Sequence, residues 1–315
     1  MIGFILRRFL QAVLVVVLVM FVMFLLVQLV PGGEARAVLG PRASALAVRH
    51  FEQVNGLNLP IWDQFFRYIG KLATLHLGQA ITYNQSVDSL IADRLPKTLI
   101  LVGLATLVAL AVAIPLGVFQ VIRRNKPEDY VVTGLSFIFY SAPSFLVGTL
   151  FILYFAIDIH IFSTEGPQGG GALAALQQPK ALVLPVVTLA AVTIASFSRY
   201  MRSSMMETMT EDFIRTARAK GARPRRVLFV HALRNALIPI VTLLGLSLPA
   251  VVSGAVITEN VFNYPGMGKL AVDAAYRIDV PTLLGVTFVV TAATVAGNLI
   301  ADVLYAVVDP RVRYA

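Results

Sequence analysis

Cysteine is absent from the 315-residue chain. That excludes disulfide frameworks, thiolate zinc sites, iron–sulfur ligation and a cysteine nucleophile. Charge is scarce too: Asp, Glu, Lys and Arg make up 14% of the residues, against about 25% in ordinary soluble domains. Acids are the scarcer sign, 17 against 26 bases, which leaves a net charge of +9. The four histidines (His50, His76, His160 and His231) lie in different segments, and no HExxH metal motif occurs. No GxxxxGK[ST] phosphate loop occurs either, since Gly266-Met267-Gly268-Lys269 is too short to be one. What remains is apolar: 57% of residues are hydrophobic and the mean hydropathy is +0.78. That balance argues against a water-soluble enzyme.

A helix crosses the hydrocarbon core of a bilayer with about 20 largely apolar residues. Six stretches qualify: 9–30, 98–122, 131–157, 181–198, 236–258 and 282–308. The expected fold is therefore an all-α integral membrane protein with six transmembrane helices. The fourth stretch is short and holds Pro185, and is expected to continue past Arg199 as a helix leaving the membrane. The first has a competing reading as a secretory signal peptide, with Arg7-Arg8 as its basic start and Ala35-Arg36-Ala37 as a cleavage site. Its apolar run of 22 residues exceeds the 7–15 expected of a signal peptide, which favours a retained helix.

Six spans place both termini on one side, and the Lys/Arg bias chooses the side. With the N-terminus in the cytoplasm, the inner segments 1–8, 123–130, 199–235 and 309–315 hold 16 bases and six acids. The outer segments 31–97, 158–180 and 259–281 hold ten of each, and Asp302 alone lies within a span. The basic excess is thus cytoplasmic, with both termini inside. Nucleic acid binding, the other reading of a basic chain, needs that charge on a soluble surface and is set aside.

The chain then reads as an N-terminal end with its first span (1–30), an outer helical segment (31–97) and a five-helix core (98–315). In the outer segment Pro60 opens a stretch with Trp62, Phe65, Phe66, Tyr68 and Ile69 among Asp63, Arg67 and Lys71, the pattern of an amphipathic interfacial helix. Ser86 is expected to cap a helix over 87–94, and Pro96 to break it before the second span. A lid over the outer helix ends and a contact surface for an outside partner both fit this segment.

The inner segment 199–235 holds nine of the 16 inner bases. Thr210 is expected to cap a helix whose first turn carries Glu211 and Asp212, acids suited to a positive helix N-terminus. Phe213, Ile214 and Ala217 make an apolar patch, with Arg215, Thr216, Arg218 and Lys220 around it. Gly221 is the natural left-handed stop and Pro224 the natural restart, so the segment predicts two short helices at an angle. The positive-inside rule explains the charge of such a loop but not its capped corner. Anionic lipid is a secondary partner for it.

Polar stripes run along two spans. Thr287, Thr291, Thr294, Asn298, Asp302 and Tyr305 share one face of the sixth, and Ser136, Tyr140 and Ser144 one face of the third, with Ser141 beside them and Pro143 able to kink the helix. Lining of a translocation pathway and helix–helix packing both account for these faces. Asp302 lies six residues from the inner end of its span, which suits an inner gate or a salt bridge.

The wording Arg215-Thr216-Ala217-Arg218-Ala219-Lys220-Gly221, followed by His231-Ala232-Leu233-Arg234-Asn235-Ala236-Leu237-Ile238-Pro239, resembles the cytoplasmic signature loop of ATP-binding-cassette importer permeases. Arg215 and Thr216 stand where the literal Glu-Ala would, as in the dipeptide/oligopeptide branch. Pro31-Gly32, Leu95-Pro96-Lys97-Thr98-Leu99, 262–268 (FNYPGMG) and 309–314 (DPRVRY) also resemble that branch's B-type permease, while Gly33-Glu34 and Arg277-Ile278-Asp279 depart from it. The resemblance implies a type I importer fold without catalysis of its own. It implies a C-type companion permease, two ATP-binding subunits in the cytoplasm that carry ATP and Mg, and an extracytoplasmic substrate-binding protein. It places the chain in the bacterial inner membrane and the coupling to the ATPase at Glu211–Gly221. The implied cargo is a di- or oligopeptide; a nickel chelate, glutathione or a glycoside would suit the same fold. A stand-alone secondary transporter would need buried coupling carboxylates, which the spans do not supply.

Overall fold

The computed structural model describes residues 2–29, 33–40, 42–253 and 255–308, and is helical almost throughout. Helix α1 (Ile2–Gln28) is followed by α2 (Gly33–Leu39), α3 (Ala45–Asn55) and α4 (Ile61–Ala73). A small antiparallel hairpin, β1 (Gln79–Ala80) with β2 (Gln85–Ser86), leads into α5 (Val87–Ile122). Then come α6 (Pro127–Ser141) and α7 (Ser144–Phe151), the latter passing into a π-helical stretch at Ile152–Asp158. A 3₁₀ turn (Ala172–Gln177) precedes α8 (Pro179–Thr208) and α9 (Asp212–Ala219). The single turn α10 (Pro224–Arg226) runs through a π turn (Val227–Ala232) into α11 (Leu233–Ser253). The chain closes with α12 (Val256–Val261), α13 (Met267–Tyr276) and α14 (Val280–Val308).

Among the described residues five helices are long and apolar enough to cross a membrane, carried by α1, α5, α8, α10 through α11, and α14. The third expected span makes a sixth only as a broken pair, Pro127–Ser141 and Ser144–Asp158, bent by 105°. Pro143 is the cause: it disfavours helical backbone at the residue before it, and Ala142 stands extended at ψ 133. The fourth span does continue past Arg199, since α8 runs unbroken to Thr208.

Pro96 does not behave as expected. Ser86 accepts the Ser89 N–H at 3.3 Å, as a cap should, but α5 then continues through Pro96 for 36 residues. Proline removes one ladder bond and crowds the preceding turn. Both flanks are nevertheless held, because Leu90 and Ile91 are buried and Thr98 Oγ1 accepts the Met267 N–H at 2.8 Å.

The chain divides into two compact units. The first comprises Met1–Thr98, Val252–Val256 and Pro265–Ala315. Its core gathers Met20, Val27, Leu72, Leu77, Val87 and Leu284, with α1 lying along α14. The expected amphipathic helix forms as α4, and lays its apolar face on the second half of α1. Phe21 stacks on Trp62 at 5.6 Å and meets Phe65 edge-on at 5.1 Å. The buried Asp279 pins the hairpin to α14: one oxygen accepts the Thr82 N–H at 2.9 Å, the other the Thr282 N–H at 3.3 Å.

The second unit comprises Leu99–Val251 and Ile257–Tyr264. Phe197, Met201, Met205, Ile214, Val227 and Ile240 form its core. Gly117 lets α5 approach α8 closely, because a Cβ there would stand 2.6 Å from that of Met201. Elsewhere in this unit Tyr264 is fully buried, and burial, then the Glu259 carboxylate, push its hydroxyl above the ordinary phenol range.

Candidate functional site

Segment 199–235 folds as a corner anchored on its own unit. α8 ends at Thr208 and a turn leads to α9. The cap is Glu211, in extended backbone at ψ 150, with no side-chain cap bond. Thr210, the expected cap, instead donates its hydroxyl to the Glu207 carbonyl at 2.7 Å and so closes the preceding turn. Glu211 thus stands before the helix, and Asp212 alone supplies the first-turn acid.

The expected apolar patch is divided. Ile214 is fully buried in the cluster that also holds Met201, Met205 and Val227, and Ala217 packs at the edge of that cluster. Phe213 faces outward at 42% exposure. Their spacing explains the split, since Ile214 and Ala217 are three apart on one helical face while Phe213 is turned by about 100°. Arg215, Thr216, Arg218 and Lys220 are all exposed, and the Asp212–Arg215 pair at 3.3 Å is too solvated to fix either side chain. α9 therefore presents Phe213 among cations and hides Ile214.

Gly221 ends the corner at φ +77, the left-handed conformation expected of it. Pro224 opens α10 as its first residue, also as expected. The second helix of the corner is not a separate short one, however. α10 runs through the π turn into α11, so α9 is joined at Gly221 directly to a membrane-spanning rod. Single π turns are frequent at functional sites.

The stripe of the third span lies along α8. Ser136 is buried and within 3.5 Å of Ser198. Tyr140 is exposed, with the Arg199 guanidinium 5.0 Å above its ring and above that of Phe137. Ser141 bonds back to the Phe137 carbonyl within its own helix. In the other unit Thr287 back-bonds to Leu283 at 2.8 Å, Thr291 and Thr294 are half-buried on α14 and Asn298 is exposed. Asp302 and Tyr305 fall in the last turns of α14, where the side chains lie outside the described residues.

One feature of this region was not anticipated from the sequence. Asp129, 1% exposed, takes the Arg202 guanidinium on both oxygens, Nε at 3.0 Å and Nη2 at 2.9 Å. It also accepts the Asn125 N–H at 3.2 Å and the Gln120 amide at 3.5 Å. The partners are 73 residues apart, so spacing gives no signal, and the sequence shows Asp129 only as one acid of the inner segment 123–130. The clue available was an acid in a strongly basic inner segment. Among the described residues no group of three or more His, Asp or Glu is placed to hold a metal ion.

Residues 113–314 match the family described as the binding-protein-dependent transport system inner membrane component, and residues 1–102 match its N-terminal companion. The chain belongs to that family. It is similar to the oligopeptide transport system permease protein AppB of Bacillus subtilis, 36% identical over 316 residues and the whole of both chains. It is equally similar to OppB of Escherichia coli K12, 36% over 317 residues and again both chains entire. The glutathione transport system permease protein GsiC of Salmonella paratyphi A is 33% identical over 319 residues, also end to end. Family membership and the apolar helices make this a multi-pass protein of the bacterial inner membrane, the permease component of an ATP-binding-cassette importer.

Proposed function

We propose that this permease carries di- or oligopeptides into the cytoplasm by alternating access, and that α9 is its contact with an ATPase subunit. The observation that carries the reading is the build of α9: Ile214 is locked in the core while Phe213, Arg215, Thr216, Arg218 and Lys220 stand out. A helix fixed on one face and chemically mixed on the other suits a groove in a partner that must be moved with it. The basic excess of segments 1–8, 123–130, 199–235 and 309–315 supports a cytoplasmic corner and cytoplasmic termini.

In this reading a companion permease completes the pathway, two ATPase subunits hold ATP and Mg, and a binding protein delivers cargo from outside. This chain performs no chemistry. Closure of the ATPases on ATP shifts α9, and the shift passes through Gly221 into α11 and through the end of α8 into the bundle. In this reading Tyr140 and Ser141 on the third span, and separately Thr291, Thr294, Asn298 and Asp302 on the sixth, are the polar groups of the pathway, while Ser136 is taken up in the contact with α8. Peptide is the cargo favoured by the AppB and OppB likenesses. The GsiC likeness is only slightly lower, so glutathione, itself a short peptide, stands as the second reading.

Two substitutions test the coupling. Gly221→Pro forbids a φ of +77, and Ala217→Glu drives a charge into the half-buried side of α9. Each is expected to abolish uptake while leaving membrane insertion and recovery of the complex unchanged; full uptake by both variants removes α9 from the coupling. Titrating the cognate binding protein with peptides and with glutathione identifies the cargo.

A further inference from the structure

The Asp129–Arg202 pair is costly to build. The carboxylate leaves water almost entirely, its side chain 2% exposed, while the Arg202 side chain is partly withdrawn at 30%. Buried pairs of this kind often add no net stability over apolar packing, and their better-attested use is to fix register between elements. Here the geometry is directional: a planar fork meets a carboxylate on two atoms, which resists sliding along either helix.

The partners lie on elements with distinct duties. Arg202 sits six residues before the end of α8, about 9 Å from the turn into α9. α9 shares a buried core with the same stretch of α8, since Ile214, Met201, Met205 and Val227 belong to one cluster. Asp129 stands in the first turn of α6, and its bond to the Asn125 N–H also ties it to the α5–α6 turn, where Asn125 adopts φ +61. Gln120, 1% exposed on α5, reaches both Asp129 and Thr133, the latter at 3.1 Å. One carboxylate thus gathers the ends of α5, α6 and α8. Further along the seam the Ser136–Ser198 contact and the Arg199 guanidinium over two rings add polar links between α6 and α8.

We propose that Asp129, Arg202 and Gln120 form a positioning joint that makes the inner half of the third span move as one body with α8 and α9. Through this joint a displacement of α9 reaches α6, the rod that ends at the 105° break. An apolar seam would let α8 slide past α6 and lose the motion. This role rests on the reading of α9 as the ATPase contact.

Two measurements separate the proposals. In proteoliposomes holding the full complex and its binding protein, Asp129→Asn and Arg202→Lys are expected to lower substrate imported per ATP hydrolysed roughly tenfold, within the span of ordinary coupling free energies. ATP hydrolysis and complex yield stay near those of the unsubstituted protein, and the double variant is no worse than either single one. A parallel fall in uptake, hydrolysis and yield would show a merely structural pair and overturn the proposal, as would an unchanged ratio. Wild-type uptake without ATP dependence would instead overturn the functional reading.

The second measurement needs no transport. The chain has no cysteine, so spin labels at the exposed Tyr130 and Tyr200 report on α6 and α8 with no background from it. The joint predicts one distance, unchanged between nucleotide-free and ATP-trapped complex and broadened by Asp129→Asn. A distance that changes with nucleotide in the otherwise unsubstituted protein overturns it.

Discussion

The α1–α14 seam in one unit and the α6–α8 seam in the other are both long helix contacts, yet they are built from opposite materials. Beside the first lies a cavity of 370 Å³ walled by Ala12, Val13, Val16, Phe288, Ala292 and Ala296 among others, all apolar. The second carries a bidentate ion pair, a serine pair and an arginine above two aromatic rings. Lipid tails are as apolar as leucine, so an apolar seam in a bilayer gains packing but little drive for one particular register. A polar seam has few alternatives to its native alignment. The difference assigns the α1–α14 contact to tolerant packing and the α6–α8 contact to precise alignment.

Four single substitutions and one double variant probe that contrast. Arg202→Met leaves the Asp129 carboxylate buried without its guanidinium, and is expected to destabilise the purified complex by about 3–5 kcal/mol on thermal unfolding. Arg202→Met with Asp129→Leu should recover most of that loss; a single variant as stable as the parent would end the claim that the pair aligns the seam. Gly117→Val pushes α5 away from Met201, where even a Cβ has only 2.6 Å, at an expected cost of about 1–3 kcal/mol. Ser198→Ala removes one interhelical contact and should shift stability by about 0.6 kcal/mol. Ala296→Leu, directed at the apolar cavity, is expected to change the melting temperature least of the four. A larger effect there than at Ser198 would reverse the comparison.

The elements governed by local chemistry were legible in the sequence. Apolar length gave five spans among the described residues and the third as a broken pair; the Pro60 stretch gave α4, Ser86 its cap, and Gly221 with Pro224 the corner. What escaped depends on partners distant in the chain. Pro96 ought to break a helix, and does not because Thr98 is tied to Met267 across 169 residues. Thr210 and Glu211 compete for one cap on nearly equal local terms, and the turn made by Thr210 with Glu207 leaves the position to Glu211. The patch of Phe213, Ile214 and Ala217 is visible as composition, but which of its members turns inward depends on a core assembled from distant residues, Met201, Met205 and Val227 among them. Asp129 was legible only as a charge, because its partner lies on another span.

The exposed face of α9 is where the account is most directly tested. A single cysteine at Thr216, in a chain otherwise without cysteine, can carry a photoreactive maleimide in the assembled complex. Illumination is predicted to join this permease to an ATPase subunit, with a yield that changes on ATP binding. Efficient ATP-driven uptake by the labelled complex with no permease–ATPase product would contradict the account.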